Sequence, residues 1–251
     1  MNNHHTHNYL TDLRLLGMAE QFSRYLENPQ LMPESAIDFF TTMVDAEVHD
    51  RKHRRQVREE KKAKLKFRNA CLEDFDFSVD RGINRQLIAW ISGFSWLQKK
   101  QNLIITGLTG TGKTYLACAI ANNAIRQGYT ALYKRIPRLI EEMEISRGAG
   151  SLPSDRAKMQ KPNLFVLDEW AVSPLNARAR LDLLEVIEDR TGTGSLIITS
   201  QLPVEKWHEF IGEPTLADAL LDRVVHRSHR LELEGDSMRR IKESVGEKNY
   251  V

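Results

Sequence analysis

GLTGTGKT, residues 107–114, places glycine at three of its eight positions. Glycine brings no side chain to a core and loses more conformational freedom on ordering than any other residue, so this spacing calls for a backbone reason. The stretch follows the apolar run NLIIT (102–106) and leads into a helical pattern from Lys113. A strand, a glycine loop and a helix in that order form a phosphate cradle. Gly107, Gly110 and Gly112 let successive N–H groups turn inward, and the helix N-terminus adds partial positive charge. Within the pattern G-x-x-x-x-G-K-T, Lys113 is placed to reach the β- and γ-phosphates of a nucleotide and Thr114 to set its hydroxyl on magnesium.

Working outward, short apolar runs alternate with amphipathic segments. NLIIT (102–106), TALYK (130–134), NLFVLD (163–168), SLIITS (195–200) and HRLEL (229–233) read as strands. Helices fall between them at about 113–127, 137–146, 176–191 and 216–225. This alternation predicts βαβ units, and the almost wholly apolar strands predict a parallel sheet covered on both faces. NLFVLDEW ends its strand in Asp168 and Glu169, at the carboxyl edge where open α/β sheets bind ligands. Asp168 suits a magnesium ligand opposite Thr114, and Glu169 a general base or a positioner of the attacking water. SLIITSQLP closes in Thr199, Ser200 and Gln201, one of which can reach the γ-phosphate or the attacking water if that strand lies between the other two motif strands, or which simply terminate the strand. Arg223, at a helix end with Arg227 and Arg230 nearby, fits a cation supplied in trans or a surface arginine paired with Asp218 or Asp222.

The amino-terminal part has a different character. Leu13, Leu16, Met18, Phe22 and Leu26 repeat at mostly helical intervals. After a break at Asn28-Pro29 and Pro33, Ile37, Phe40, Met43, Val44 and Val48 form a second apolar pattern expected to pack on the first helix. That second pattern runs into RKHRRQVREEKKAKLKFR (51–68), ten Lys/Arg against Glu59 and Glu60. Such an excess favours a phosphate-contacting surface over a merely solvated face. It makes Arg51, Lys52, Arg54, Arg55, Arg58, Lys61, Lys62 and Lys64 candidates for DNA. LEDFDFSVDRGIN (72–84) reads as an extended linker with aromatic anchors. The expected organisation is a helical domain over 1–68, a linker over 69–84 and the α/β domain over 85–251.

Composition sets the outer bounds. In 251 residues, 41% apolar and 28% charged usage is that of a globular chain, which excludes disordered and collagenous classes. There is no apolar run of about 18 residues and no signal-like start, so no membrane partner is expected and the location reads as cytoplasmic. Cys71 and Cys118 lack metal-ligand spacing and read as reduced. A formal charge of +2 is by itself too small to identify a nucleic-acid partner.

The order GLTGTGKT, LFVLDEW, SLIITSQLPVEKW and LADALLDRVVHRSHRLELEGDSMR resembles AAA+ ATPases of the DnaC/IstB group, from about Leu72 to Arg239. LTDLRLLGMAEQF and the basic stretch after it look like IstB-type transposition helpers more than DnaC. The resemblance implies an α/β AAA+ P-loop NTPase core, its parallel sheet flanked by helices, without a C-terminal lid domain and behind a small all-α N-terminal domain. It implies an ATP hydrolase using ATP and Mg2+, with Gly107, Leu108, Thr109, Gly110, Thr111, Gly112, Lys113, Thr114 and Tyr115 holding the nucleotide. Thr114 and Asp168 would hold the metal. Lys113, Asp168, Glu169, a sensor at Gln201 or Ser200, and Arg223 as a finger toward a neighbour would carry the chemistry. Arg239 falls in the group's terminal arginine motif, and glutamine at 201 departs from the asparagine common in helicase loaders.

The same resemblance implies assembly on duplex DNA through backbone contacts, a homo-oligomer with ATP between subunits, and the transposase of the same element as partner. Lys134, Arg135, Arg138 and Arg147 join the DNA candidates because related ATPases turn that segment toward nucleic acid. A replicative helicase loader of the DnaC type is the alternative. A small-molecule kinase is a weaker third reading, since no acceptor pocket is recognisable in the sequence.

Overall fold

A computed structural model describes residues 3–75, 81–238 and 240. Its contacts divide the chain into two compact units, 1–58 and 59–251.

The first unit holds α1 (Asn3–Asp12), α2 (Leu16–Glu27) and most of α3 (Ala36–Ala63). Arg14, in the left-handed region at φ 59°, breaks the first periodic pattern into two helices. Glu47 of α3 accepts from the backbone N–H groups of Gly17 and Met18, supplying the N-terminal acceptor that α2 lacks locally. Approach at this point is close: a Cβ on Gly17 would stand 2.4 Å from the Ala46 carbonyl oxygen. Met43 is buried and Tyr25 bonds Thr42, so α3 meets α2 through these residues. The expected apolar stripe is packed only in part: Met43 is buried and Met18, Phe22 and Val44 are half-buried. Leu13, Leu16, Leu26, Ile37, Phe40 and Val48 are exposed, so the contact with α2 is confined to the part of α3 around Met43 and Glu47.

The second unit is built on a five-stranded parallel sheet. Its elements are α4 (Arg85–Ser92), α5 (Ser95–Gln98), β1 (Asn102–Gly107), α6 (Lys113–Arg126), β2 (Ala131–Arg135), α7 (Ile136–Gly148), α8 (Leu152–Gln160), β3 (Leu164–Trp170), α9 (Ala177–Arg190), β4 (Ser195–Ser200), α10 (Trp207–Ile211), α11 (Pro214–Val225) and β5 (Ser228–Leu233). Strand order is β2-β3-β4-β1-β5. All five strands expected from the sequence form, their ends moved by a residue or two at most. One core joins α4, α5 and α6 to one face of the sheet, and the other joins α7, α9, α10 and α11 to the opposite face. Burial on both sides is why β1, β3 and β4 have almost no polar positions before their ends. Among the described residues no helical lid domain follows β5, and no helix is long and apolar enough to cross a membrane.

Two expectations on organisation differ from what is observed. The division into units falls within α3, at Arg58/Glu59, rather than at 68. The segment expected as a linker is also packed beyond its aromatic anchors where it is described: besides Phe75, Ala70, Leu72 and Ile83 are buried in the first core, and Asn122 of α6 donates to the carbonyls of Arg68 and Ala70. Residues 76–80 of that segment, and Arg239, lie outside the described residues.

Candidate nucleotide site

The phosphate loop sits where β1 meets α6. Gly107, Gly110 and Gly112 have φ of 143°, 89° and 99°, in the region that favours glycine. Two of them are also in tight contact. A Cβ on Gly107 would lie 2.2 Å from the Leu233 carbonyl oxygen, and one on Gly110 2.3 Å from Ser237 Oγ. The turn after β5 is therefore laid over the loop, and Met238 N–H donates to the Gly110 carbonyl at 3.0 Å. Lys113 Nζ donates to the carbonyls of Gly107 and Leu108, both at 2.7 Å. Burial holds its pKa down to about 8, with the negative charge of Asp168 partly offsetting that effect. Leu108 and Thr109 are exposed at the tip, Thr111 is buried beneath it, and the Tyr115 hydroxyl reaches the Cys71 carbonyl at 3.5 Å.

β3 and β4 lie beside β1, so their ends meet the loop on one edge. Asp168 is fully buried and accepts three hydroxyls: Thr114 at 2.9 Å, Thr199 at 2.5 Å and Tyr133 at 2.6 Å. The sequence reading paired Thr114 with Asp168 but missed Tyr133 and missed Thr199 as a partner of Asp168. Both had a readable signal only in hindsight, since a tyrosine on one strand and a threonine on another converge solely through strand order. An all-oxygen set of hydroxyl and carboxylate fits a hard divalent cation.

Glu169 stands at φ 64°, where β3 shifts register against β4 between Leu167 and Trp170. A left-handed non-glycine residue costs about 1–3 kcal/mol, so the surroundings must hold it. Its N–H donates to Thr199 Oγ1 at 3.1 Å, and its carboxylate accepts from Arg135 at 2.7 Å with Lys66 Nζ at 3.7 Å. Gln201 accepts from Thr109 Oγ1 at 2.6 Å and so touches the phosphate loop. Ser200 is buried and bonded to backbone around Trp170 and Leu202. Of the two sensor candidates, only Gln201 faces the loop.

Arg223 is elsewhere. It ends α11, donates to the Ala219 carbonyl and pairs with Glu188 at 2.7 Å, not with Asp218 or Asp222. Asn102, the first residue of β1, donates to the Val224 carbonyl, which fixes this helix end at the amino edge of the sheet. The phosphate loop is at the carboxyl edge, about 17 Å away along a six-residue strand. Arg223 therefore does not reach the loop of its own chain.

The DNA candidates are largely committed to carboxylates. Arg51 pairs with Glu47 and Arg54 with Asp50, each at 2.5 Å, and Lys62 with Glu59 at 3.0 Å. Lys134 pairs with Glu142, Arg135 with Glu169, Arg138 with Glu141 and Glu142, and Arg147 with Asp182 at 2.6 Å. Among the described residues Lys52, Lys61 and Lys64 have no carboxylate partner. Arg55 and Arg58 lie on α3 with Arg51, Lys52, Arg54, Lys61 and Lys62, whereas Lys64 follows the helix end at φ 54°. A phosphate must compete with the paired cations' present partners, which weakens the contribution that charge counting assigns them.

Comparison with known proteins gives consistent findings. The family described as IstB-like ATP binding protein matches residues 8–245. A Sinorhizobium fredii (strain NBRC 101917 / NGR234) protein named as an insertion sequence ATP-binding protein, y4pL, is 41% identical over 237 residues, 94% of this chain and 96% of its own. One from insertion sequence IS1162 of Pseudomonas fluorescens, also named as an ATP-binding protein, is 43% identical over 203 residues, 79% of this chain and 86% of its own. Among solved structures the crystal structure of DnaI superposes with a TM-score of 0.58 at 21% identity, covering 66% of this chain and 92% of that one, a likeness of fold.

Proposed function

The chain belongs to the IstB-like ATP-binding proteins on an AAA+ P-loop core, and from that premise we propose that it is an ATP hydrolase that assembles on duplex DNA and assists the transposase of an insertion sequence. The observation that carries this reading is the division of functional groups between two sheet edges. Gly107–Thr114, Asp168, Glu169 and Gln201 share the carboxyl edge, while Arg223 stands on the amino edge beyond their reach. A phosphate site and an arginine so separated suit a nucleotide bound by one copy and completed by the next. The relatives' names support the association with insertion sequences.

The chemistry follows from the contacts. The loop N–H groups and the α6 N-terminus bind the phosphates, and Lys113 exchanges its two carbonyl acceptors for phosphate oxygens. Thr114 and Asp168 would hold magnesium, which when bound supplies positive charge at the β- and γ-phosphate oxygens. Tyr133 and Thr199 keep Asp168 oriented by donating to it. Glu169 orients the attacking water once its carboxylate is released from Arg135, and Gln201 senses the γ-phosphate from the neighbouring strand. Lys52, Lys61 and Lys64, with Arg51, Arg54, Arg55, Arg58, Lys62, Lys134, Arg135, Arg138 and Arg147 in competition with their present contacts, supply backbone-directed DNA contacts that assembly multiplies.

A competition experiment tests this. With ATP and magnesium, labelled duplex bound to the protein should be displaced by duplex far better than by single strands, and the transposase of the same element should be retained on the complex. Preference for single strands together with retention of a replicative helicase would overturn the reading in favour of a loader.

A further inference from the structure

Where β3 runs beside β4, it carries one residue too many. Leu167 stands opposite Ile198 and Trp170 opposite Ser200, so Asp168 and Glu169 share the single position of Thr199. An extra residue of this kind is a β-bulge, which bends the longer strand and takes a side chain out of the plain alternation of faces. Glu169 absorbs the change at φ 64°, a conformation that a non-glycine residue keeps only when its surroundings hold it there. Thr199 is buried, and its hydroxyl has one proton to give. That proton goes to Asp168 Oδ1, because a carboxylate only accepts, and the lone pairs left on Thr199 Oγ1 take the Glu169 N–H at 3.1 Å. The bonds run one way, from Glu169 N–H through the Thr199 hydroxyl to Asp168, so each strengthens the next.

One hydroxyl thus holds two carboxylates, Asp168 by its side chain and Glu169 by its backbone. Thr114 and Tyr133 also donate to Asp168, but their hydroxyls bond that carboxylate and not Glu169. Arg135 and Lys66 hold the Glu169 carboxylate itself, from side chains that are 51% and 38% exposed. Catalysis requires that carboxylate to leave them, and the buried bond to Thr199 is the constraint that remains when it does. We propose that Thr199 is a positioning residue for hydrolysis, whose hydroxyl keeps Glu169 in the left-handed conformation of the bulge and so aims its carboxylate at the attacking water. This role rests on the hydrolytic reading of the site given above and names what holds Glu169 in place.

The test compares three variants of the full chain: Thr199→Val, which exchanges the hydroxyl for a methyl of like size, Thr199→Ser and Tyr133→Phe. Without nucleotide, residue-resolved amide exchange should show the Glu169 N–H about tenfold or more faster in Thr199→Val, and within about threefold of wild type in Thr199→Ser and Tyr133→Phe. With saturating ATP and magnesium, single-turnover hydrolysis should fall about tenfold or more in Thr199→Val while ATP affinity stays within about threefold, and Thr199→Ser should keep most of the rate. Beside Glu169→Gln, Thr199→Val should cost less than about twofold further, since the carboxylate it aims is already gone. Wild-type exchange and turnover in a Thr199→Val chain that melts like the wild type would overturn the proposal. So would the full loss recurring beside Glu169→Gln, which would place the effect on Asp168 instead. If Thr199→Val does not fold, Thr199→Ala decides by the same two readouts. A wild type that binds ATP without hydrolysing it would refute the hydrolytic reading, a distinguishable result, since the amide exchange is measured without nucleotide.

Discussion

Lys113 carries a pH dependence that can be stated with its sign. Burial lowers its pKa from 10.5 to about 8, so between these values the unfolded chain binds a proton that the folded chain does not. Without nucleotide, this residue's contribution to stability therefore rises with pH across that window. Nucleotide affinity should run the other way. A polyphosphate favours the charged ammonium, so binding above pH 8 must take up a proton, and affinity titrated against pH should fall by up to about tenfold per unit. A flat profile from pH 8 to 10 would remove the ammonium from the phosphate contact. Glu169→Gln should leave ATP affinity within about threefold of wild type and slow turnover by about a hundredfold or more, as expected for loss of a water-positioning carboxylate. Single-turnover hydrolysis separates the two effects, and a wild-type rate would exclude the role. The loop, Asp168 and Glu169 were legible in the sequence because their geometry is local to a strand end and a turn. Lys66 and Arg135 on Glu169, and Tyr133 on Asp168, were not, since they meet only through the tertiary register of separate elements.

Among elements, α3 shows how a readable period can overstate the extent of a packed face: Met43 is buried as its period implies, while the ends of the stripe are not. Its apolar positions do repeat helically, yet Ile37 and Phe40 are exposed, 78% and 65%. A glycine in the neighbouring helix and a buried carboxylate that caps it mark the point of close approach, and neither registers in a count of apolar residues. Gly17→Val should lower the stability of the helical unit by about 1–3 kcal/mol through overpacking against Ala46 and Glu47. Thermal unfolding followed by helical circular dichroism checks this, and an unchanged transition would contradict the close approach of α2 and α3. α8 was not expected at all. It has few apolar residues, with only Met159 buried, and is tied down instead by Arg156 to Glu185 and Asp189 of α9, and by Ser146 and Ser151 to Asp155. Polar ties between elements leave no periodic trace in a sequence, whereas the both-sides burial of the central strands does.

At the scale of the whole molecule, strand order does most to shape function. Because β4 lies between β3 and β1, three motifs distant in sequence converge on the carboxyl edge. Since α11 ends at the opposite edge, the arginine that follows them in sequence is carried away from them. The alternation of strands and helices was enough to expect the sheet, but periodicity does not encode which edge a helix end occupies. The modest formal charge of +2 gives one copy little net attraction for a polyanion, so the proposed DNA binding requires many copies acting together. The measurement that tests this account most directly is the sedimentation mass of the full chain as ATPγS is titrated in, with and without duplex. The account predicts that mass rises with the analogue, rises further with duplex, and stays at the nucleotide-free value in Lys113→Ala. A mass that is the same with and without nucleotide at every protein concentration would contradict the claim that ATP joins one copy to the next.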